Sequence, residues 1–323
     1  MSLRLASAAY APGKNTSHFI KVLEAMSHGD LTVVTANAFG GYAPDAEIQV
    51  VRAVATGDAD LGWVGSRTFD SLGVLSLEAL SAPLLIGSYA VENAVLASPL
   101  ADQLLAGVGS AGVTGLGISA GDFQLPIGVS HPLVTPADWH GVTFGTYASV
   151  VQEQAIRALG AIPFEAFGDL RRHALETHEL EGFHLGLPFY GSSDLPSKAP
   201  YVTVNVRLWA QSDVSFVNPD ALARLSRQQR EWLFAAAADT KLYAARVGAD
   251  EGTAIRAACA QGARMVKATP NQLAALRTSL QVVYDVLEKN PQVRQNIAQI
   301  RRLASVTTAE AASPVPSGCA WPR

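Results

Sequence analysis

The first part of the chain alternates between short runs that suit strands and longer amphipathic runs that suit helices. Leu3 to Ala9 alternates in polarity as a strand does, and Leu31 to Ala36 and Asp60 to Val64 are two further strand-like runs. In the segments between these runs, apolar residues such as Phe19 and Leu23 recur at helical spacing. This order predicts a βαβαβ unit, which builds a parallel sheet with helices on its faces.

A second unit of the same kind is predicted in the middle of the chain. Its strand-like runs cover Val142–Tyr147, Gly160–Phe164 and Leu180–His184. Its helix-like segments are Ser149–Leu159 and Leu170–Glu176. In open α/β sheets, ligands bind beyond the carboxyl ends of the strands, so each unit presents one candidate edge to a ligand.

Two extended segments are predicted to join the units. Asp122–Ser130 leads from the first unit to the second. Tyr201–Val206, with valine at alternate positions, is expected to form a strand that leads back. Two such crossings between α/β lobes make a hinge.

We therefore predict an α/β fold of two lobes followed by a tail. Beyond Pro219 the pattern is mostly helical, and an Ala-rich helix that starts near Ser226 is expected to extend toward Ala260. From Thr307 the chain is rich in Ser, Ala and Pro, which favours a loose tail. The predicted domains are lobe I (3–122 and 207–248), lobe II (123–206 and 249–306) and the tail (307–323).

Composition and charge narrow the class of protein. The 323 residues suggest about two domains, and 49% apolar with 16% charged residues is typical of a globular chain without disorder. A net charge of −4 without a basic run argues against a nucleic-acid partner. No apolar stretch approaches the ~20 residues that cross a bilayer. The chain enters a strand almost at once, which predicts a cytoplasmic protein or a mature domain whose export signal has been removed.

Three short motifs match patterns of catalytic or cofactor sites without the context that those sites need. Gly107–Gly112 has the spacing of a dinucleotide fingerprint, but a helix precedes it and a strand follows. Gly117–Gly121 has the nucleophile-elbow spacing, but an extended run replaces the helix; a serine hydrolase using Ser119 remains an alternative. The three histidines between 173 and 184 are five and six residues apart, which does not match a zinc motif. We therefore expect no catalytic residue, no metal site and no cofactor.

The two cysteines, Cys259 and Cys319, match no zinc or redox spacing. They are either two unrelated thiols or a disulfide that ties the C-terminal tail to a helix. The disulfide is expected only if the protein is exported, because the cytoplasm keeps thiols reduced.

A set of residues near the predicted strand ends is expected to line the ligand crevice. Arg67 follows one of these ends, where a guanidinium can hold a carboxylate through forked hydrogen bonds; the alternative is a surface charge. The aromatic residues belong either to the core or to the apolar walls of the crevice. The candidate ligand-binding residues are Tyr10, Asn37, Phe39, Trp63, Ser66, Arg67, Gly145, Thr146, Tyr147, Phe167, His184 and Phe189.

A series of motifs, taken in order, resembles those of one family of binding proteins. The motifs are Val51–Asp60, Ala82–Leu85, Thr135–Gly141, Ala158–Pro163, Ala174–Leu175 through Glu181–Gly182, and Asn218–Pro219 ahead of Leu225–Gln229. From about Leu3 to Leu280, the chain resembles the substrate-binding proteins of tripartite ATP-independent periplasmic (TRAP) transporters, of the dicarboxylate-binding type.

The resemblance implies a two-lobe periplasmic-binding-protein-like fold, with two α/β domains joined by hinge strands and a long helix that spans both. It also implies an extracytoplasmic receptor, periplasmic or surface-anchored, that closes on a small organic acid. Such a receptor delivers the acid to the permease subunits of a membrane transporter. We expect a monomer, and a ligand-sensing module is an alternative to a transport receptor.

One position departs from the family pattern. Where this family carries an arginine that pairs with the carboxylate of the ligand, the chain has Gly145. The missing side chain is expected to open space beside Tyr147 and His184. This predicts a ligand bulkier than a C4 dicarboxylate, or one whose acid group turns toward Arg67.

Overall fold

Two β-sheets flanked by helices organise the chain, of which the computed structural model describes residues 1–247 and 251–321. The strands are β1 Ser2–Ala6, β2 Thr32–Ala36, β3 Leu61–Gly65, β4 Thr114–Ser119, β5 Phe123–Gly128, β6 Thr143–Thr146, β7 Ile162–Glu165, β8 Gly182–Leu185, β9 Tyr201–Thr203, β10 Trp209–Ala210, β11 Asp213–Val217 and β12 Arg264–Val266. Short 3₁₀ segments are Ser66–Leu72, Leu75–Leu77, Gly107–Ala111 and Ser317–Cys319.

The helices fill the connections between these strands and most of the chain after β11. They are α1 Lys14–Met26, α2 Ala46–Thr56, α3 Glu78–Ser81, α4 Tyr89–Ala97, α5 Pro99–Ala106, α6 Pro136–Trp139, α7 Val150–Ala158, α8 Gly168–Glu176, α9 Leu187–Ser192, α10 Leu195–Lys198, α11 Pro219–Arg224, α12 Arg227–Val247, α13 Glu251–Ala260, α14 Pro270–Leu287 and α15 Pro291–Val306.

The first sheet, with the helices packed on it, forms lobe I. Its strand order is β2-β1-β3-β11-β4, and β1 pairs in parallel with both β2 and β3. The first predicted βαβαβ unit is thus confirmed. One core of this lobe lies between the sheet, α1 and α12, where Phe19, Leu23 and Trp63 are buried together. This packing fixes β3, whose carboxyl end carries Arg67.

The second sheet, with its helices, forms lobe II. Its strand order is β12-β9-β5-β8-β6-β7, with β10 paired to β5 at the side. Strand β6 pairs in parallel with β7 and β8, which confirms the second predicted unit. Both sheets are mixed rather than purely parallel, because β11 and β5 run antiparallel to their neighbours.

The return from lobe II to lobe I lies further along the chain than predicted. The segment predicted to cross, Tyr201–Val206, contains β9, which pairs with β5 and β12 inside the second sheet. The chain instead crosses between β10 and β11, a strand that the sequence analysis missed. Alternating valines identified a strand correctly, but the pattern holds no information about which sheet the strand joins.

A buried carboxyl group ties the two crossings together. Glu92, on α4, is 0% exposed. It accepts hydrogen bonds from Ser212 Oγ (2.8 Å), between β10 and β11, and from the Gly121 backbone N–H (3.4 Å), between β4 and β5. Burial raises the pKa of Glu92 to about 8.

The helices after β11 contact both lobes. Helix α12 packs on α1 and β4 of lobe I, whereas α13 packs on α9 of lobe II. The sequence predicts one continuous helix across residues 248–250, and it places a domain boundary after residue 248. Residues 248–250 lie outside those described. Helix α15 ends the segment predicted for lobe II, but it packs against α3 and α4. These two helices connect β3 to β4 and so belong to lobe I.

The C-terminal tail, expected to be loose, is held at several points. Cys319 forms a disulfide with Cys259 of α13, with a Cα–Cα distance of 5.5 Å. Glu310 accepts two backbone hydrogen bonds at the start of α4 (3.0 Å each) and pairs with Arg207 (2.8 Å). Trp321 packs edge-on against Tyr201, with ring centroids 4.9 Å apart. Composition predicts local mobility but does not reveal such isolated long-range anchors.

Helices α4 and α5 meet at a sharp bend. The Ser98 side chain caps α5, and Pro99 occupies its first turn, where a missing N–H costs nothing.

No single described helix is long and apolar enough to cross a membrane. The segments Tyr89–Ala97 and Pro99–Ala111, bent by 74°, meet that test only as a pair.

Candidate ligand-binding crevice

Arg67 lies at the carboxyl end of β3, as predicted, but its charge is already paired within lobe I. Its Nη2 forms an ion pair with Glu47 Oε2, and Glu47 lies in the first turn of α2. The other carboxylate oxygen of Glu47 accepts a hydrogen bond from the backbone N–H of Gly65 (3.2 Å). Arg67 is 3% exposed, so it is not a surface charge.

The same guanidinium reaches the facing wall of lobe II. Its Cζ lies 4.2 Å from the centroid of the Tyr147 ring, a distance suited to a cation–π contact. The Nε atom of Arg67 is buried and has no hydrogen-bond partner among the described residues. A buried N–H without an acceptor is costly, so an acceptor that reached this donor would stabilise the site.

His184 is held as a neutral ring on the floor of the crevice. Its Nδ1 lies 2.9 Å from Gln124 Oε1 and its Nε2 lies 3.2 Å from Thr146 Oγ1. Nδ1 donates to the amide oxygen, and Nε2 accepts from the hydroxyl. Burial lowers the pKa of His184 well below its ordinary value, and the charges of Arg67 and Arg171 lower it further. Both ring nitrogens are thus engaged, and the ring positions its neighbours.

The sequence analysis missed Arg171, which supplies a cation from lobe II. It lies on α8, and its Nη1 donates a long hydrogen bond to Tyr147 Oη (3.4 Å). Its Cζ lies 5.7 Å from the centroid of the Phe183 ring. The available signal was that α8 follows the carboxyl end of β7. Helical spacing alone does not show that its first turn faces the crevice.

Gly145 does not open the expected space. A Cβ atom at this position would lie 3.1 Å from Leu180 and from Phe183. These apolar side chains fill the volume on that side of β6 as part of the lobe II core. The prediction of extra room beside Tyr147 and His184 is therefore wrong.

An aromatic row closes one side of the crevice. Tyr10 stacks on Tyr42, Tyr42 approaches Phe167, and Phe167 approaches Tyr147, with centroid distances of 5.2, 6.4 and 5.7 Å. Tyr42, which was not predicted, sits in the loop after β2 with φ of 62°. A Cβ on Gly168 would come within 2.8 Å of Tyr42, so this glycine permits the close approach of the two lobes.

The remaining predicted residues lie beside or away from this group. Ser66 is buried next to Arg67, and its N–H donates to the Ser212 carbonyl in the return crossing (2.7 Å). Asn37 and Phe39 belong to the loop that carries Tyr42, where Asn37 is exposed and Phe39 packs on the core. Trp63 is buried in the lobe I core, and Phe189 is 57% exposed on α9, which follows β8.

A second contact between the lobes was also missed. Asp70, in the 3₁₀ segment after β3, accepts hydrogen bonds from Ser149 Oγ (2.5 Å), Val150 N–H (3.0 Å) and Val151 N–H (3.3 Å). These donors belong to the N-terminus of α7 in lobe II, where a carboxylate is favoured by the helix dipole. With the Arg67–Tyr147 contact, this interaction joins lobe I to lobe II.

The structure offers little support for the catalytic alternatives. Strand β4 ends at Ser119 and β5 begins at Phe123, so the serine lacks the helix that an elbow requires. The segment Gly107–Ala111 forms a 3₁₀ turn between α5 and β4, the wrong context for a dinucleotide site. Within 1–247 and 251–321, no group of three or more His, Cys, Asp or Glu side chains is arranged to hold a metal ion.

Comparison with known proteins identifies the family. Residues 4–290 match the profile of the bacterial extracellular solute-binding proteins, family 7 (DctP), and the chain belongs to this family. A search of curated proteins found no match.

Solved structures of TRAP periplasmic solute-binding proteins share the fold. One from Ralstonia eutropha H16, with (S)-2-acetolactate bound, superposes with a TM-score of 0.85 at 18% identity, over 94% of this chain and 98% of its own. One from Roseobacter denitrificans, with β-D-glucuronate, gives 0.83 at 19% identity, over 95% and 100%. The sugar acid binding protein from Advenella mimigardefordensis, with galactonate, gives 0.82 at 21% identity, over 94% and 98%. The two-lobe α/β fold is thereby confirmed.

Proposed function

We propose that this protein is an extracytoplasmic receptor that captures a small organic acid between its lobes and delivers it to the permease subunits of a TRAP transporter. The observation that supports the proposal is that two arginines meet at Tyr147: Arg67 of lobe I lies over its ring, and Arg171 of lobe II donates to its hydroxyl. Cationic donors beside an aromatic wall suit an acid with an apolar or sugar-like body. The protein acts by binding and release, as a monomer, without catalysis.

The ligands named for the structural neighbours support the chemical class. Acetolactate, glucuronate and galactonate are small acids that also carry hydroxyl or keto groups. At 18–21% identity these proteins share the fold with this chain, so the class of ligand is carried over as a proposal.

Closure of the lobes is proposed as the binding step. We place the ligand-contacting lobes at 3–122 with 211–248 and at 123–210 with 249–290, so that β10 stays with the sheet that it joins. We leave α15 (Pro291–Val306) with the helices of lobe I that it contacts. Because ligand binds only the folded, closed form, a hundredfold excess over the dissociation constant adds about 2.7 kcal/mol to the free energy of unfolding.

A thermal-shift screen of organic acids, neutral sugars and amino acids tests the proposal. We expect selected acids to raise the melting temperature, and Tyr147→Ala to abolish the shift. Phe234→Ala, which removes an exposed aromatic residue on α12 of lobe I, is the matched control and should keep it. Stabilisation by neutral sugars alone would overturn the acid class, and stabilisation by no compound would overturn the receptor function. A permease-dependent uptake assay separates transport from sensing.

A further inference from the structure

The two arginines of the crevice differ in whether their charge is compensated. Arg67 is paired with Glu47, so its charge is compensated within its own lobe. Among the described residues, Arg171 has no carboxylate within ion-pair distance. The acid closest to it on α8, Asp169, pairs with Arg172 at 3.0 Å. His184 is neutral between its two hydrogen-bond partners, so Arg171 is the one cation of Arg67, His184 and Arg171 that no described carboxylate pairs with.

Arg171 places a positive charge on the Gly145 side of β6, where the strand itself has no charged side chain. Its guanidinium lies over the ring of Phe183, the residue that a side chain at Gly145 would also touch. Its contact with Tyr147 Oη, at 3.4 Å, uses one donor weakly. A guanidinium has five N–H donors in a fixed fork, so most of them are left for a planar acceptor.

We propose that Arg171 holds the carboxylate of the bound acid and that the crevice selects hydroxy- or keto-monocarboxylates over dicarboxylates. This inference rests on the proposed receptor function. One uncompensated cation balances one carboxylate. A second carboxylate would be desolvated against Arg67, whose charge Glu47 already neutralises, and burying an unpaired charge is costly. The unpartnered Nε–H of Arg67 instead suits a neutral hydroxyl or keto oxygen at the other end of the ligand.

Calorimetric titrations of matched ligands test both parts of the proposal. The ligands are D-glucuronate, its neutral amide D-glucuronamide and its dicarboxylate counterpart D-glucarate, with the corresponding galacturonate series and (S)-2-acetolactate. The proteins are the wild type, Arg171→Gln, Arg171→Lys and Arg302→Gln. Arg302 is the matched control, because it is an exposed arginine on α15 with no ion pair among the described residues.

The expected result is a loss that depends on both Arg171 and the carboxylate. Arg171→Gln should weaken binding of the preferred monocarboxylate about thirtyfold or more, as for removal of one partner of a desolvated charge pair. Arg171→Lys should recover part of the affinity, and Arg302→Gln should stay within about twofold of the wild type. The neutral amide should bind equally to the wild type and to Arg171→Gln. The wild type should bind the dicarboxylates at least about tenfold more weakly than the monocarboxylates.

Other outcomes separate a failure of this inference from a failure of the function. If the wild type binds a monocarboxylate and Arg171→Gln binds it as tightly, the role of Arg171 is overturned and the receptor function stands. If the dicarboxylates bind as tightly as the monocarboxylates, the proposed selectivity is overturned. If no carboxylate in the set binds the wild type, the acid-receptor function falls, and this inference falls with it. The melting temperature and circular dichroism of each ligand-free variant verify that it is folded.

Discussion

The two walls of the crevice carry the same side chain in different surroundings. On the lobe I wall, Arg67 is almost fully buried and its charge is met by Glu47 from its own lobe. On the lobe II wall, Arg171 is partly buried and its only described hydrogen bond is the long one to Tyr147. Arg67 lies over the ring of Tyr147 and Arg171 donates to its hydroxyl. Only Arg67 has a described carboxylate as its ion-pair partner. The role of an arginine near a crevice therefore depends on the ion-pair partners that it already has within the fold, and not on its position alone.

The largest expected effect separates the arginines by stability. Arg67→Ala leaves the carboxylate of Glu47 without its partner in a mostly buried site, which should lower the free energy of unfolding by about 3–5 kcal/mol. Arg171→Ala breaks no ion pair and should change it by no more than about 0.5 kcal/mol. Urea unfolding of the two variants measures both values. Equal losses of unfolding free energy would show that Arg67 and Arg171 contribute to stability in the same way.

A buried carboxyl group of lobe I, Glu92, forms no ion pair among the described residues, and its protonation should make stability depend on pH. Burial raises the pKa of Glu92 from 4.5 to about 8, so the folded protein keeps a proton that the unfolded chain releases. Its stabilising contribution is therefore complete below pH 4.5 and is lost as the pH rises to about 8. Between these values the slope is about −1.4 kcal/mol per pH unit from this group.

Unfolding measured from pH 5 to pH 8 in the wild type and in Glu92→Gln isolates this slope. The variant should show a flatter dependence, whereas Asp102→Asn, which changes an exposed carboxyl on α5, should parallel the wild type. The difference between variants matters here, because other groups such as Glu78 also titrate near neutral pH. Parallel curves for Glu92→Gln and the wild type would mean that Glu92 is ionised throughout.

The sequence predicted most of the fold because the signals were local. Hydrophobic periodicity located both βαβαβ units, and the strand-end rule placed Arg67, Tyr147 and His184 correctly near one another. The sheet that the strand at Tyr201–Val206 joins was missed, because strand pairing depends on partners distant in the sequence. The same applies to β11, which pairs with β3 and β4 and returns the chain to lobe I.

The parts of the site that were missed depend on contacts between elements. Glu47 lies twenty residues before Arg67 and meets it only because α2 packs on β3. Arg171 and Asp70 resemble ordinary surface charges in the sequence, and Tyr42 is brought inward by a loop with positive φ. The prediction of open space at Gly145 was wrong because Leu180 and Phe183, which lie outside β6, occupy the volume next to this glycine.

A smaller effect concerns the closed arrangement that brings the walls together. Asp70→Asn keeps one acceptor for the N-terminus of α7 but removes the charge and the second acceptor. The closed form should lose about 1–2 kcal/mol relative to the open form, without a comparable loss within either lobe. Small-angle scattering of the ligand-free variant should show a larger radius of gyration than the wild type, whereas Asp102→Asn should not. An unchanged profile would mean that Asp70 does not hold the lobes together.

The smallest predicted change is the most direct test of the difference between the walls, because it alters the charge of one wall while preserving shape. Gln at position 47 can still accept the hydrogen bond of the Gly65 N–H, but it no longer neutralises Arg67. Glu47→Gln thus gives each wall one uncompensated cation. It should improve binding of D-glucarate about tenfold, equivalent to about 1.4 kcal/mol, relative to D-glucuronate. Adding Arg171→Gln should remove that gain, since one cation would again remain. If the ratio of the two affinities does not change in Glu47→Gln, the charge of Arg67 does not reach the ligand, and selection between mono- and dicarboxylates depends on shape alone.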